Sequence, residues 1–354
     1  MSFARLAAAC AAVFLAAVPA AQAQGMPDAT TVAPVVERVT PAVVNISTRS
    51  RDPARENPLL NDPFFRRYFD LPRDLPRRDT TAAGSGVIVD AGRGFILTNA
   101  HVVEDADIIE VVLKDNRVFR ARLVGRDPLT DIAVLKIDAG RLVDVPLGDS
   151  GRVAVGDFVL AVGNPFGLGQ TVTSGIVSAI GRSGLGIEGY EDFIQTDASI
   201  NPGNSGGALV NFRGELIGIN TAILAPGGGN IGIGFAVPVN MARAVMEQLV
   251  EHGEVRRGRI GIAIQDLTPQ LSESLAASTA EGAVVAAVEG GSPADRAGLR
   301  RGDVIVAVDG SPVRSATEIR NRIGLTRAGS DVMLSVEREG RRREVDVRVE
   351  PQRR

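Results

Sequence analysis

The chain has no tryptophan, only two histidines and a single cysteine, Cys10, among its 354 residues. Cys10 falls inside a leader-like segment. Arg5 supplies one positive charge, an apolar run extends from Leu6 to Val18, and Ala21-Gln22-Ala23 forms a small-residue cleavage pattern. Residues 1–23 are therefore expected to be a cleavable secretory signal, with retention as a membrane anchor as the alternative. Almost no apolar run precedes Cys10, which argues against lipidation there. A mature chain without cysteine forms no disulfides even in an oxidising compartment. No apolar stretch reaches the ~20 residues of a membrane-spanning helix. Stability must come from packed cores, and about 330 mature residues suffice for two or three of them.

Other absences narrow the chemistry. A net charge of -3 with acids and bases interspersed gives no basic patch for nucleic acid and no attraction to an anionic membrane. No G-x-x-x-x-G-K-[ST] occurs, which argues against an ATP-driven machine. No H-E-x-x-H motif or Cys/His cluster occurs, so neither a metal nor another cofactor is expected.

What is present concentrates around Ser205. The segment from Thr196 to Val210 holds a Gly-bracketed polar turn, Gly203-Asn204-Ser205-Gly206-Gly207, and then enters an apolar strand. A serine hydroxyl needs a base to become a nucleophile, and its product oxyanion needs backbone NH groups already turned inward. Glycines on both sides permit such a turn. With two histidines the choice of base is narrow. His101 ends the apolar run Phe95-Ile96-Leu97-Thr98-Asn99-Ala100, whereas His252 ends a helical pattern before Gly253, a common place for a structural, solvent-exposed histidine. Asp131 heads the mostly apolar run Ile132-Ala133-Val134-Leu135-Lys136-Ile137 and is the candidate carboxylate for orienting the imidazole. Asp105, Asp107 and Asp127 are rivals in polar loops. The order His101, Asp131, Ser205 is that of chymotrypsin.

Short strands are predicted at Thr81 to Val89, Gly94 to Asn99, Ile108 to Leu113, Val118 to Val124 and Ile132 to Ile137. A second series runs over Phe158 to Val162, Val172 to Ile180, Phe193 to Thr196, Ala208 to Val210, Glu215 to Ala222 and Gly232 to Pro238. Two series of about six match two packed barrels sharing a cleft, an all-β fold. Asn240 is expected to cap an amphipathic helix, Met241 to His252.

Thr98-Asn99-Ala100-His101-Val102-Val103, Asp131-Ile132-Ala133-Val134-Leu135-Lys136 and Gly203-Asn204-Ser205-Gly206-Gly207-Ala208-Leu209 resemble the three catalytic blocks of the HtrA/Deg family of ATP-independent serine proteases. Gly163-Asn164-Pro165-Phe166-Gly167 and Thr173-Ser174-Gly175-Ile176-Val177-Ser178 are similar to further family blocks. The resemblance runs from about residue 35 to the C-terminus. It implies a trypsin-like double six-stranded β-barrel over residues 24–255 and a small α+β PDZ domain over 256–354. The family's chemistry implies His101 as general base, Asp131 as its orienting acid, Ser205 as nucleophile, and an oxyanion hole at Gly203, Asn204 and Ser205.

The specificity pocket follows from spacing. The floor position, six residues before the nucleophile, is Ser199, and Ile200 matches the bulky apolar residue that shortens the family's pocket. Asp197 lies two positions too early. A pocket without a charge cannot offset the desolvation of a cation, so cleavage is expected after small or medium aliphatic residues. Arg182 matches a sensor-loop position whose guanidinium can hold backbone carbonyls. Ala225-Pro226-Gly227-Gly228-Gly229-Asn230 resembles a second activation loop, and Pro202 could stiffen the nucleophile turn. The Arg-, Asp- and Pro-rich stretch from about 50 to 80, with Phe64, Phe65, Tyr68 and Phe69, resembles a long regulatory loop.

In the last segment, Gly258-Arg259-Ile260-Gly261-Ile262 and Gly291-Ser292-Pro293-Ala294-Asp295 look like a PDZ domain. Arg259, Ile260, Gly261 and Ile262 would meet a peptide's C-terminal carboxylate, with Ile319 and Ile323 lining a pocket for its last side chain. The expected partners are unfolded or misfolded proteins, C-terminal peptides and further copies of the chain in a trimer or larger assembly. The expected setting is the periplasm. A chaperone-type scaffold and a site-specific signalling protease triggered by C-terminal peptides are the alternatives.

Overall fold

The computed structural model describes residues 31–50, 80–165, 169–185, 189–201, 203–223 and 232–352. The leader with Cys10, most of the stretch from 50 to 80 with its four aromatics, Pro202 and the loop 225–230 lie outside the described residues.

Twelve strands close into two six-stranded barrels. The first contains β1 (Val43–Ser50), β2 (Thr80–Asp90), β3 (Phe95–Thr98), β4 (Ile108–Val112), β5 (Val118–Asp127) and β6 (Ile132–Lys136), in the order β1-β2-β3-β6-β5-β4. The second contains β7 (Phe158–Gly163), β8 (Thr171–Arg182), β9 (Phe193–Thr196), β10 (Ala208–Asn211), β11 (Leu216–Ile223) and β12 (Gly234–Pro238). Its order is β10-β11-β12-β9-β8-β7, the same closed path as the first barrel with β7 to β12 in the places of β1 to β6. β1 is the strand that the series of predicted strands lacks. Its sequence, Val43-Val44-Asn45-Ile46-Ser47-Thr48, interrupts the apolar run with polar residues, and two of these, Asn45 and Thr48, are buried.

The interior of each barrel is aliphatic. Val159, Ala161, Ile194, Leu209, Ile217 and Ala236 form the second core. Two aromatic rings, Phe193 and Phe235, pack at its edge with centroids 5.8 Å apart. The small β-branched residues that dominate these strands suit the half-twisted, fully buried faces of a closed barrel.

A helix, α2 (Val239–His252), leaves β12 and packs against strands of both barrels; it follows the short α1 (Ala33–Val39). Its buried positions Val239, Ala242, Val245, Met246 and Leu249 recur at helical spacing. The expected capping role of Asn240 is corrected by the structure. The helix starts at Val239 after Pro238, with no side-chain cap, because Pro238 supplies the extended entry; Asn240 Nδ2 instead donates to Asp149 Oδ1 at 2.7 Å. At the other end Gly253 adopts the left-handed conformation (φ 75°) and its NH bonds Leu249 O, as the sequence indicates.

The C-terminal segment forms a sheet in the order β14 (Ile262–Asp266), β15 (Ala283–Val288), β16 (Val304–Val308), β18 (Asp331–Arg338) and β19 (Arg341–Arg348), with β17 (Ser311–Pro312) beside β16. A two-stranded pair joins β13 (Gly258–Arg259) to β20 (Glu350–Pro351). Three helices accompany it: α3 (Pro269–Ser274), α4 (Pro293–Arg296) and α5 (Ala316–Leu325). The described residues from Ala33 onward form one compact unit.

Polar and charged groups join this sheet domain to the barrels. Arg257 Nη2 pairs with Asp127 Oδ2 at 2.7 Å, both side chains 8% exposed, and the guanidinium lies 4.4 Å from the Tyr190 ring centroid. Asn321 Nδ2 donates to Glu191 O, and Gln248 Nε2 to Leu325 O. Beside them sits Asp192. Burial, with the Glu318 carboxylate nearby, pushes its carboxyl up to about 7, against the pull of Arg322 and Arg314.

Because the Asp192 carboxyl holds its proton to a higher pH in the folded chain than in the unfolded one, its contribution to stability is lost as pH rises from about 4 to about 7. Asp192→Asn should therefore flatten this part of the stability profile. Calorimetric melting of both proteins across this window checks the expectation; parallel slopes would show that Asp192 does not titrate there.

Candidate active site

His101, Asp131 and Ser205 come together at the seam between the barrels. His101 opens a 3₁₀ turn, His101–Val103, directly after β3. Its Nδ1 lies 2.8 Å from Asp131 Oδ2 and 3.0 Å from Oδ1, and its backbone NH donates to Oδ1 at 3.0 Å. The Asp131 side chain is 3% exposed and the His101 side chain 34%, so the carboxylate is covered while the ring reaches the cleft. Asp131 has φ +53°, a conformation that Asp tolerates better than most residues. Asn99 Nδ2 and the Ala100 NH both donate to its carbonyl. Three successive residues, Asn99, Ala100 and His101, thus all bond Asp131.

Ser205 sits on a turn that only glycine neighbours permit. Gly203 has φ +97° and Gly206 φ +81°. A Cβ at 206 would stand 2.2 Å from Ser85 O, and one at 203 would stand 2.4 Å from the Pro165 Cβ. β11 anchors the turn: the Gly206 NH donates to Asn220 O, and the Asn220 NH to Gly207 O. Among the described residues, neither the Gly203 nor the Ser205 NH has a hydrogen-bond acceptor. An oxyanion lodged there would meet two unspent donors.

The Ser205 hydroxyl donates to Thr221 O at 3.2 Å, and the Thr221 hydroxyl donates to Asp131 Oδ2 at 2.5 Å. Thr221 therefore touches both ends of the set. Sequence reasoning missed it, although a polar pair, Asn220-Thr221, inside the apolar β11 was the available signal. An imidazole whose Nδ1–H donates a hydrogen bond to a carboxylate keeps an Nε2 lone pair with which to take a proton from a hydroxyl.

The rivals fall away. Asp127 is buried but engaged by Arg257 and by Thr130 Oγ1, and Asp105 and Asp107 lie on the exposed surface after the 3₁₀ turn. His252 ends α2, with Nε2 3.7 Å from Glu251 Oε1. Ser199 is half-buried, and its carbonyl accepts from Thr173 Oγ1. Ile200 is buried in the core of the second barrel, against the bare backbone of Gly234. Asp197 is turned to β8, where Oδ1 accepts from the Ile176 NH. Arg182 differs from the sensor-loop expectation: Nε donates to Gln195 Oε1 at 2.9 Å, because the adjoining strand places that side-chain amide within reach.

A groove of about 1020 Å³ runs between β14 and α5. Arg259, Ile260, Gly261 and Ile262 line one end, with Ile323 on the helical wall. Tyr190, from the second barrel, borders it as well. Gly261 has φ +80°, and a Cβ there would clash with Ser292. Arg259 Nη2 pairs with Glu289 Oε2 at 2.7 Å. The expectation for Ile319 is corrected: it is fully buried in the domain core beneath the groove, and Ala316, Thr317 and Arg320 share the helical wall with Ile323. The i,i+4 spacing identified the correct helix, but α5 is rotated so that Ile319 points at the sheet.

Paired barrels with a histidine, an aspartate and a serine at their seam define a trypsin-like serine endopeptidase, here followed by a peptide-binding type of domain. Residues 84–219 match the trypsin-like peptidase domain, and residues 258–349 match the PDZ domain. The periplasmic pH-dependent serine endoprotease DegQ of Escherichia coli K12 is 48% identical over 89% of this chain and 69% of its own. The periplasmic serine endoprotease DegP of the same strain is 45% identical over 94% and 74%. The solved structure of the HtrA-type protease AlgW with tripeptide superposes with a TM-score of 0.68 at 44% identity, over 92% of this chain and 98% of that one. The chain belongs to the HtrA/Deg family of serine endoproteases.

Ser205→Ala should lower peptide-bond cleavage by several orders of magnitude, while a change at His252 leaves it essentially unchanged. Casein digestion by the purified variants checks this; undiminished digestion by Ser205→Ala removes Ser205 from the chemistry.

Proposed function

We propose that this protein is an exported endoprotease of envelope protein quality control, cutting unfolded or damaged chains after small or medium aliphatic residues. The observation that carries the chemistry is the His101 Nδ1 to Asp131 Oδ2 contact of 2.8 Å beside a serine turn with two unspent NH donors. In this reading His101 takes the Ser205 proton through Nε2 as Oγ leaves the Thr221 carbonyl and attacks the peptide carbonyl. Asp131, held by Thr221, stabilises the imidazolium. The NH groups of Gly203 and Ser205, with Asn204 between them, receive the oxyanion. The imidazolium then protonates the leaving amine, and water releases the acyl group by the same relay. The protease domain spans residues 24–255 and the PDZ domain residues 256–354. The periplasmic relatives DegP and DegQ support the setting.

Specificity follows from the pocket. With Ser199 at the floor, Ile200 beside it and Asp197 engaged elsewhere, a cationic side chain would lose its hydration without gaining a counter-charge. Peptides with Val or Ala before the scissile bond should be cut far better than matched Lys or Arg peptides. Mass spectrometry of the cut sites in one denatured substrate decides it, and a majority after Lys or Arg would sink the assignment.

The groove beside β14 is the second site in this proposal. A peptide added to the β14 edge would bring its terminal carboxylate to the Arg259-Ile260-Gly261-Ile262 loop and its last side chain toward Ile323. The contacts of Tyr190, Glu191 and Asn321 give this groove a path to the second barrel. A free peptide ending in an aliphatic residue should bind and raise cleavage of an unrelated substrate, by roughly 5- to 150-fold for ordinary coupling energies. Amidating its C-terminus should remove most of the binding. Equal binding of the two forms by calorimetry would exclude the carboxylate loop as receptor.

A further inference from the structure

We infer that Ser85, in the middle of β2, is the positioning residue of the oxyanion-binding turn. This rests on the reading of the Gly203 and Ser205 NH groups as the oxyanion donors. Ser85 is completely buried, and it belongs to the first barrel while the turn belongs to the second. Its Oγ donates to Gly203 O at 2.5 Å, and its backbone NH donates to Ser205 O at 2.8 Å. One residue therefore holds both ends of the Gly203-Asn204-Ser205 tripeptide.

The geometry connects these bonds to catalysis. With φ of Gly203 at +97°, the direction of its carbonyl fixes ψ, and so fixes where its own NH points relative to the Ser205 NH. Glycine at this position has little intrinsic barrier against other values, so the restraint must come from outside the turn. Ser85 supplies it, and the surroundings hold Ser85 in turn. Its Oγ accepts from the Asn164 NH at 2.8 Å, which leaves the hydroxyl proton for Gly203. Asn45 Nδ2 holds the Asn164 carbonyl at 2.9 Å, and Thr98 Oγ1 donates to the Ser85 carbonyl at 2.7 Å.

The same contacts give a role to Gly163-Asn164-Pro165. This segment forms the wall behind the turn: a Cβ at 163 would stand 2.3 Å from Asn204 Oδ1, as a Cβ at 203 would meet Pro165. Removing the Ser85 hydroxyl would leave the Gly203 carbonyl and the Asn164 NH without partners among the described residues in one step, and Gly203 freer to turn its peptide plane.

The test uses the full chain with Ser85→Ala and Ser85→Cys, beside Ser205→Ala. Four quantities are measured: kcat and KM on a chromogenic peptide, affinity for a peptide boronate whose serine adduct occupies the oxyanion site, and peptide affinity in the Ser205→Ala background. Ser85→Ala should lower kcat about 10- to 100-fold and weaken the boronate by a similar factor, with KM and peptide affinity within about twofold. Ser85→Cys, which keeps a weak donor of similar size, should fall between. Unchanged kcat in either folded variant, or a loss of peptide affinity equal to the loss of kcat, would overturn the inference. Full cleavage by Ser205→Ala would instead overturn the reading of the site on which it rests.

Discussion

The structure depends on a close backbone contact across the barrel seam. Gly206 packs against the Ser85 carbonyl and Thr98 at a distance that no Cβ allows, and the Ser85 NH to Ser205 O bond spans the same gap. Each barrel contributes what the other lacks. The first presents His101 and Asp131; the second presents Ser205 and the Thr221 that links it to Asp131. Neither barrel could assemble this set alone, so the candidate site is a property of the interface.

Shared strand order in the two barrels explains why such an interface can form. Both close along the same path, and β1 and β2 of the first barrel face β7 of the second. The mostly aliphatic interiors fix each barrel as a rigid body, while buried amides and hydroxyls, Asn45, Ser85, Thr98, Asn99, Asn164 and Asn220, collect at and around the seam. Hydrogen bonds are directional where hydrophobic contacts are not, and a catalytic geometry needs direction.

The junction with the C-terminal domain is of another kind. Arg257, Tyr190, Asp127 and Asn321 form a small polar and stacked contact rather than an apolar core. Its Arg257 end touches the turn that leads through Thr130 to Asp131, and its Tyr190 end borders the peptide groove. A contact of this composition binds the domains at modest cost and holds ionisable groups where burial shifts them, as the raised Asp192 carboxyl illustrates.

Much of this was legible in the chain. Two histidines left one candidate base, the Gly-rich turn marked Ser205, and short strands at regular spacing announced paired barrels. Local patterns could do this because turn chemistry and strand alternation act over a few residues. They could not disclose the partners of Thr221, Ser85 or Arg257, although the polar pair Asn220-Thr221 inside an apolar strand marked Thr221 as unusual. Each owes its place to a partner 16 to 130 residues away, and its own neighbourhood does not say which residue that is. The same limit explains Asn240, whose amide found Asp149 instead of the helix end, and Ile319, whose helix turned it into the core. Sequence alone determined which residues could carry the reaction. The tertiary structure decided which backbone carbonyls and buried hydroxyls hold them in place, because those bonds close only when two barrels meet.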